Sequence, residues 1–459
     1  MTRYGKVGTA LAAGYFLWVV RASFASGLAS DDPMNLFNYW QMGWAGVLRG
    51  NLLFFTTAYR PMGGVFYLPI YSLFKLNPLP YHIAINIILA FDTYLLYRCA
   101  RLLGAVAPAA TVAALLSISH ISMMALFLSP STVYDALCFL FYFGALVYYL
   151  RLRTAGITPD WRQTTACLLL YIGALNSKEI GVTLPVLLAG YEVLYQRSGK
   201  FRTAAIGGMI AAVYTAGKFA GADSLAAISA YRPVFTVGQY LTNSNHFLDE
   251  FSYHNQPWFT PALMAALMAG IAIWAGMRKE KLLWFCLLFV LVTPLPIVFI
   301  PRRGQYNLYL PLAGWTIMAG VALWDTIRLL SAEHFVPARA ARGIRICLAL
   351  VVAMVWTKDL VWRQAFTVEV SDNMQRPTQQ TIRQFRDLGL TIRPNSRVIL
   401  LNGPFTDHEL RFLASLWYDD HSVQFFVQQL SHFSAAELEK ADYLLDWENG
   451  HFLVTRAPS

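Results

Sequence analysis

Two adjacent carboxylates, Asp31 and Asp32, directly follow a long apolar run in this 459-residue sequence. A carboxylate can act as general base for a hydroxyl or amide nucleophile, and a pair of carboxylates can bind a divalent cation. The charge of one also raises the pKa of the other, which can tune a base. The alternative is a helix cap or a solvated turn, because Pro33 comes next. The pair alone leaves both interpretations open.

Basic residues stand beside other apolar runs. Lys178 and Glu179 lie between two such runs in the stretch NSKEIG, and Arg302 and Arg303 follow PLPIVFIP. Neighbouring arginines can form a bidentate clamp on a phosphate or pyrophosphate. Their alternative role is to contact lipid headgroups from the end of a span. These residues are therefore candidates for binding an anionic group.

A third group of ionisable residues, His246, Asp249, Glu250 and His254, lies within nine residues of chain. Its spacing is neither HxxxH nor HExxH, which weighs against a zinc site. The five cysteines lack CxxC spacing, and we expect buried thiols. No GxGxxG, Walker or GxSxG motif occurs in a supporting context, so the sequence predicts neither a nucleotide loop nor a catalytic serine.

The composition defines the class of protein. Hydrophobic residues make up 56% of the chain and charged residues only 14%, against roughly 25% charged residues in soluble domains. The apolar residues fall in repeated runs with the length of a membrane-spanning helix. The net charge of +10 comes from short basic clusters between these runs, such as YLRLR and YQRSGKFR, which are typical of cytoplasmic loops. The sequence therefore predicts a polytopic α-helical membrane protein, with no nucleic-acid partner.

Alternating these clusters across the membrane predicts about eleven spans, with the N-terminus inside and the C-terminus outside. The stretch VFYLPIYSLF is too short for a span and contains proline, so we interpret it as a re-entrant or interfacial helix. The aromatic-rich stretch before it suits helices lying on the membrane surface. The expected spans are near residues 7–26, 80–97, 106–127, 132–150, 163–177, 180–196, 203–220, 259–276, 281–299, 308–327 and 346–361.

The last part of the chain differs from the rest. Charged residues become more frequent, and SRVILLN, SVQFFVQQ and YLLDW have the pattern of short strands, with DHELRFLASLW as a helix. We therefore divide the chain into a transmembrane domain, residues 1–362, and a small extracytoplasmic α/β domain, residues 363–459.

Several motifs occur in an order that resembles the GT-C superfamily of membrane glycosyltransferases. They are the acidic pair after the first span, YRPMGGVFYLPIYSLFKLNPLPYHIAIN, NSKEIGVTLPVLLAGYEVLY and RRGQYNLYLPLAGW. The closest likeness is to the protein O-mannosyltransferase and aminoarabinose-transferase branch. The resemblance covers roughly residues 10–330 and implies a GT-C-like fold with interfacial helices in the first outer loop.

The resemblance also implies a function. It implies an inverting transfer of a sugar, with mannose favoured, from a polyprenyl-phosphate-linked donor to an extracytoplasmic protein, glycolipid or envelope glycan. Asp32, as the first choice, or Asp31 matches the catalytic base. Lys178 and Arg302 or Arg303 match the groups that hold the lipid phosphate. The remaining candidate substrate-binding residues are Tyr59, Arg60, Asp135, Glu179, His246 and Tyr306.

Alternatives to this interpretation stay open. The pair is Asp-Asp where the protein O-mannosyltransferases often carry Asp-Glu, and a divalent cation bound by Asp31 and Asp32 is left open. A transporter or flippase of lipid-linked saccharide is the first alternative, although the chain shows no matching halves. A noncatalytic membrane scaffold is the second. We expect a bacterial inner membrane, with lipid around the spans and the site on the periplasmic face.

Overall fold

The apolar runs form helices that pack into one bundle. The computed structural model describes residues 3–29, 31–220, 224–252, 260–331, 338–405 and 408–457. The helices of the bundle are α1 (Arg3–Val20), α2 (Asp31–Leu52), α3 (Met62–Phe74), α4 (Pro78–Leu102), α5 (Ala107–Ser119), α6 (Ala125–Leu128), α7 (Val133–Thr154), α8 (Trp161–Ser177), α9 (Leu184–Tyr191), α10 (Arg202–Phe219), α11 (Val237–Phe251), α12 (Pro261–Arg278), α13 (Lys281–Val292), α14 (Leu295–Val298), α15 (Tyr309–Ser331) and α16 (Ala338–Val370).

Within the described residues, six helices are long and apolar enough to cross a membrane, or seven spans if the bent pair α5–α6 counts as one. The six are Gly8–Ala25, Pro78–Leu102, Pro130–Thr154, Pro261–Arg278, Lys281–Val298 and Gln305–Leu329. The predicted number of eleven is therefore not confirmed. The four other predicted spans are helical or broken into helical turns, without being both long and apolar enough. The 13 residues of α3 reach only about 20 Å, as expected for an interfacial or re-entrant helix.

The centre of the bundle is α7, which packs along both α4 and α8. Its Phe139 ring stacks on Phe143 and on Tyr309 of α15, each with centroids 4.3 Å apart. Such close aromatic packing makes a rigid core. The helix carries Asp135 in its first turn and Arg153 in its last turn, and 18 residues of helix separate them by about 27 Å. We call the end of the bundle where α2, α7 and α15 begin the site end.

Breaks in the helices concentrate polar groups at the site end. The chain bends by 60° between α5 and α6, and short 3-10 turns lie at Glu179–Thr183 and Gln305–Leu308. Such breaks leave backbone N–H and C=O groups outside the helical pattern, and these groups need polar partners. A further break lies within α2 at Gly43, where φ is +63°, a conformation that favours glycine. The breaks let polar side chains point inward at one level of the bundle.

Residues after α16 form the predicted small α/β domain. The helix α17 (Arg376–Leu388) is followed by β1 (Arg397–Leu400), α18 (Glu409–Tyr418), β2 (Gln424–Val427), α19 (Gln428–Ser431), α20 (Ala435–Leu438), β3 (Tyr443–Glu448) and β4 (His451–Arg456). The strand order is β2-β1-β3-β4, with β1 parallel to β2 and β3, and β4 antiparallel to β3. The three predicted strands and the predicted helix are confirmed. The predicted boundary after residue 362 falls within α16 and stays a prediction.

The α/β domain docks on the interfacial helices through α18. The rings of Phe37 and Phe412 lie 4.9 Å apart. At the end of α18, Asp419 accepts hydrogen bonds from Trp40 Nε1 at 2.8 Å, Tyr71 Oη at 2.9 Å and Lys75 Nζ at 2.7 Å. Although partial burial raises the pKa of Asp419, these three donors outweigh it and hold the pKa below its usual value. The domain is thus fixed against the helix that begins with the two aspartates.

One expectation about the cysteines needs correction. Four of them are buried as free thiols, whereas Cys347 on α16 is exposed. It lies on a long helix that the bundle covers along only part of its length.

Candidate active site

A cavity of about 620 Å³ opens at the site end. Its polar lining residues are Asp31, Asn35, Tyr59, Arg60, Ser131, Tyr134, Asp135, Lys178, Glu179, Tyr214, Thr215, Lys218, Tyr231, Arg303, Tyr306 and Asn307. Its apolar lining comes mainly from two chain segments, 225–235 and 295–300, together with Val182 and Phe219. A cavity with both a charged and an apolar wall suits an amphiphilic ligand, with a charged group at the polar side and a hydrocarbon at the other.

The two aspartates differ in what they face. Asp31 is exposed and forms part of the cavity wall. Asp32 is only 1% exposed, lies outside the wall, and its Oδ2 accepts a hydrogen bond from the backbone N–H of Ala29 at 2.6 Å. Burial raises the pKa of Asp32 well above its usual value, although that hydrogen bond lowers it in part. Of the two carboxylates, Asp31 is the one placed to contact a ligand.

Lys178 joins two elements across the cavity wall. Its Nζ lies 2.5 Å from Asp135 Oδ1 in the first turn of α7 and 2.8 Å from Asn307 Oδ1 just before α15. The ammonium and carboxylate are 3% and 6% exposed. A buried charge is stable only when it is paired and hydrogen-bonded. The charge of Lys178 is therefore neutralised within the protein, so it orders the wall.

Arg60 and Glu179 form a second pair in the wall. The guanidinium donates to both carboxylate oxygens, with Nε 3.2 Å from Oε1 and Nη2 2.9 Å from Oε2. Burial would lower the pKa of Arg60 and raise that of Glu179, but the opposite charge outweighs it in both, so the pKa of Arg60 is raised and that of Glu179 is lowered. The guanidinium also lies 4.6 Å from the Tyr59 ring and 5.3 Å from the Tyr134 ring. The backbone of Arg60 has a φ of +43°, which is costly for a non-glycine residue and is typical of functional sites.

Two other cations of the wall are held differently. Lys218 Nζ donates to the backbone carbonyl of Ala58, and Arg303 Nη2 donates to that of Ala230 at 2.8 Å. Among the described residues, neither forms an ion pair with a carboxylate. A carbonyl oxygen satisfies a hydrogen bond but leaves the positive charge uncompensated. Lys218 and Arg303 are therefore the cations best prepared to bind an anion in the cavity.

The sequence-predicted candidates separate into two groups. Those that line the cavity are Asp31, Tyr59, Arg60, Asp135, Lys178, Glu179, Arg303 and Tyr306. Asp32, Arg302 and His246 are not in the wall, and His254 lies outside the described residues. Arg302 is exposed beside Arg303.

His246 lies behind the cavity. Its Nε2 is 3.6 Å from Glu250 Oε1, while Glu250 Oε2 accepts from the backbone N–H of Gln305 at 3.1 Å. This pair supports the turn that carries Arg303 and Tyr306, so His246 acts on the wall through Glu250 and Gln305.

Sequence reasoning missed Lys218. It stands near the end of a predicted span in the stretch YTAGKFAG, where a lone lysine usually reads as an interfacial anchor. Its neighbour Gly217 packs against the backbone of Phe55, where a Cβ would overlap the Phe55 carbonyl. That close approach brings Lys218 to Ala58 and into the wall. The side chains of Tyr134, Tyr231 and Asn307 were also missed, because nothing in the sequence distinguishes them from the other polar residues around them.

No group of three or more His, Cys, Asp or Glu side chains suited to a metal ion occurs among the described residues. Asp31 lines the cavity and Asp32 does not, so the two carboxylates do not converge on one ligand position in this structure.

Comparison with solved structures bears on the fold. No protein-family model matches the sequence, and no curated protein matches it. Among solved structures, the chain is similar to the crystal structure of ArnT from Cupriavidus metallidurans bound to undecaprenyl phosphate. The TM-score is 0.53 at 15% sequence identity, and the match covers 98% of this chain and 92% of that chain. At this identity the likeness establishes the fold alone.

The prediction of a GT-C-like fold with a small C-terminal sheet is confirmed by this match. The six apolar helices and the ArnT-like fold together make the chain an integral membrane protein. The finer resemblance to mannosyltransferases is not tested by the match.

Proposed function

We propose that this protein is an inverting glycosyltransferase that moves a sugar from a polyprenyl-phosphate-linked donor to an acceptor at the membrane surface. The observation that carries the proposal is the two-sided cavity, in which the carboxylate of Asp31 and the cations of Lys218 and Arg303 face the same space as an apolar wall. A lipid-linked donor needs an apolar path for its chain and positive charge for its phosphate. ArnT, whose fold the chain shares, was crystallised with undecaprenyl phosphate, which supports a donor of this class.

The chemistry assigns a role to each group. The acceptor oxygen attacks the anomeric carbon, the carbon–oxygen bond to the phosphate breaks, and the electron pair leaves with the phosphate. Asp31 takes the proton of the acceptor as general base. Lys218 and Arg303 stabilise the negative charge that develops on the leaving phosphate. Phosphate is a good leaving group, so the site needs no acid to protonate it.

The paired charges keep this arrangement in place. One ion pair joins Lys178, at the end of α8, to Asp135 on α7. The other joins Arg60, in the loop that carries Tyr59, to Glu179. These two pairs set the positions of α7, α8 and that loop. We therefore propose that Lys178 orders the wall, and that Lys218 rather than Lys178 is the second cation that contacts the phosphate.

The orientation follows from the distribution of charge. Arg151, Arg153, Arg197, Lys200 and Arg202 all lie at the end of the bundle opposite the site end. Cytoplasmic loops are enriched in basic residues. We propose a bacterial inner membrane with the cavity and the α/β domain on the periplasmic face, where the acceptor is a protein, a glycolipid or an envelope glycan.

The test is sugar transfer by the purified protein in liposomes. Donors with mannose and with aminoarabinose on undecaprenyl phosphate are supplied with an envelope extract, in the presence and absence of EDTA. We expect release of undecaprenyl phosphate and a product whose anomeric configuration, read by NMR, is opposite to that of the donor. A product with retained configuration would contradict the single-step mechanism.

A second result would contradict the proposal as a whole. If no donor were consumed while labelled lipid-linked saccharide moved from one leaflet to the other, the protein would be a flippase. The EDTA arm decides whether a divalent cation takes part.

A further inference from the structure

The segment that joins α1 to α2 is held by side chains from distant parts of the chain. The backbone N–H of Gly27 donates to Gln375 Oε1 at 3.2 Å, and its carbonyl oxygen lies 3.0 Å from His82 Nε2. His82 comes from α4, and Gln375 lies between α16 and α17. Both side chains are buried. Two residues thus fix both backbone groups of one glycine, four positions before Asp31.

The same two side chains reach a second segment. His82 Nδ1 lies 3.0 Å from the carbonyl oxygen of Phe127, and Gln375 Nε2 donates to that of Leu128 at 2.9 Å. These residues end α6, directly before the start of α7, where Ser131 and Asp135 line the cavity. The neutral imidazole of His82 carries one N–H and therefore donates to one of these two carbonyls, whereas Gln375 bonds to both segments. Gln375, with the His82 ring packed between the same two segments, therefore ties the segment before Asp31 to the segment before Asp135. This tie links the two sides of the polar wall.

Gly27 also lies against the C-terminal region. A Cβ at Gly27 would overlap the amide of Gln379 on α17, so a side chain there displaces the Gln379 side chain beside Gln375. Two residues later, Ala29 exchanges hydrogen bonds with Asp32, through its N–H at 2.6 Å and its carbonyl at 3.0 Å. The first turn of α2, and with it Asp31, is thereby bonded to Ala29, two residues after Gly27.

We propose that His82 and Gln375 are positioning residues for Asp31, and that the C-terminal region takes part in catalysis by setting this carboxylate through Gln375. The proposal gives the C-terminal region a role besides docking on the membrane domain. It also explains the His82 position in the stretch NPLPYHIAIN, since neither ring nitrogen reaches the cavity. The experiments that measure sugar transfer rest on the proposed function.

The expected effect is on chemistry and not on donor binding. A displacement of about 1 Å in a catalytic group can cost about 100-fold in rate. We expect Gln375→Met to lower kcat for sugar transfer by about 10- to 100-fold, with the donor KM unchanged because Lys218 and Arg303 are on other elements. Gln375→Glu keeps an acceptor for the Gly27 N–H, and we expect it to recover part of the rate. The matched control is Gln380→Met, at an exposed glutamine five residues further along the chain, on α17.

A second pair of variants changes the segment between α1 and α2 itself, at Gly27. We expect Gly27→Ala to reproduce the loss in kcat, while Gly14→Ala, whose Cβ would meet no atom within 4 Å, leaves kcat unchanged. Unchanged kcat in both Gln375→Met and Gly27→Ala would overturn the proposal. A fall in folded protein with normal kcat per folded molecule would also overturn it, because the role would then be structural only.

A readout without chemistry separates this proposal from the proposed function. Hydrogen exchange by mass spectrometry reports on the backbone amides of residues 27–32. We expect these amides to be protected in the wild type and to exchange faster in Gln375→Met, but not in Gln380→Met. If the wild type transferred no sugar, the proposed function would fail, and this pattern would still show whether Gln375 holds the segment. Equal exchange in all three proteins would contradict the positioning role directly.

Discussion

The two ends of the bundle differ in how completely their charges are paired within the protein. At the end away from the cavity, Glu192 is fully buried and its carboxylate accepts from Arg153 Nε at 2.7 Å, Arg153 Nη2 at 2.9 Å, Tyr149 at 2.7 Å and Ser198 at 2.5 Å. Every lone pair there is used by a side chain of the protein. At the site end, Lys218 and Arg303 point to backbone carbonyls beside a cavity.

The difference separates structure from function. A charge that is fully paired inside the protein has nothing left to offer a ligand, and its removal leaves an uncompensated partner. A cation that is satisfied only by a neutral carbonyl can exchange that bond for a phosphate oxygen, which makes a stronger charge-assisted hydrogen bond. We infer that the charges around Glu192 serve the structure, and that Lys218 and Arg303 are prepared for a ligand at the cavity end.

The largest effect on stability is expected at the Glu192 end of the bundle. Glu192→Ala leaves Arg153 buried without a counter-charge, so we expect a loss of about 3–5 kcal/mol in the free energy of unfolding. Denaturant unfolding in detergent measures it. Glu192→Gln keeps one acceptor and the volume of the side chain, so it should lose less. A loss below about 1 kcal/mol in Glu192→Ala would break the comparison, because the pair would then contribute no more than an exposed pair does.

A smaller effect, on donor binding and not on stability, is expected at the site end. Arg303→Met removes a charge-assisted hydrogen bond to the phosphate, worth about 1.5–3 kcal/mol, so we expect the donor KM to rise about 10- to 100-fold. Unfolding should change little, since the groups that lose a partner are the exposed Ala230 carbonyl and the half-buried Tyr231 ring, which lies 4.9 Å from the guanidinium. Arg302→Met alters the exposed neighbour and should change KM much less. Equal effects in the two variants would contradict the assignment of the phosphate to the cavity wall.

The smallest effect is expected at the docking contact of the α/β domain. Because the pKa of Asp419 is lowered in the folded protein, its stabilising contribution is present above its usual pKa of about 4 and is lost as the pH falls through the lower folded value. Asp419→Asn should cost about 1 kcal/mol or less at pH 7, and this difference from the wild type should be smaller at an acid pH, as the carboxylate takes up a proton. Limited proteolysis of the α/β domain at both pH values measures the docking. A difference that grew on acidification would contradict the sign of the pKa shift.

Much of the fold could be predicted because it depends on local patterns. Runs of apolar residues gave the membrane helices, and alternation gave β1, β2 and β3. The strand β4 was missed, although Asn449 and Gly450, both with positive φ, form the two-residue turn that an Asn-Gly pair favours. The predicted number of spans stays a prediction, because α8, α10 and the residues around α9 are helical without being both long and apolar enough to count as spans.

The site could be predicted only in part, because its residues meet through long-range contacts. Motifs identified Asp31, Arg60, Lys178 and Arg303 as candidate catalytic or substrate-binding residues. Their spacing in the sequence could not show which of their charges are paired with each other or with other residues. Whether Lys178 faces a ligand or Asp135 depends on the packing of α7 against α8. The choice between Asp31 and Asp32 depends on the direction of the first turn of α2, which the tie at Gly27 sets.

The most direct measurement compares Asp31→Asn with Asp32→Asn in single-turnover sugar transfer by reconstituted protein. Both substitutions are nearly isosteric, and they change two neighbouring carboxylates. One carboxylate lies in the cavity wall and the other is buried outside it. We predict that Asp31→Asn lowers the rate by about 100- to 10,000-fold, as expected for a lost general base, while undecaprenyl phosphate still binds. We predict that Asp32→Asn keeps the rate within about 10-fold, since its raised pKa already favours a neutral carboxyl. Loss of transfer in Asp32→Asn with full activity in Asp31→Asn would contradict the assignment of the base and the cavity as the place of reaction.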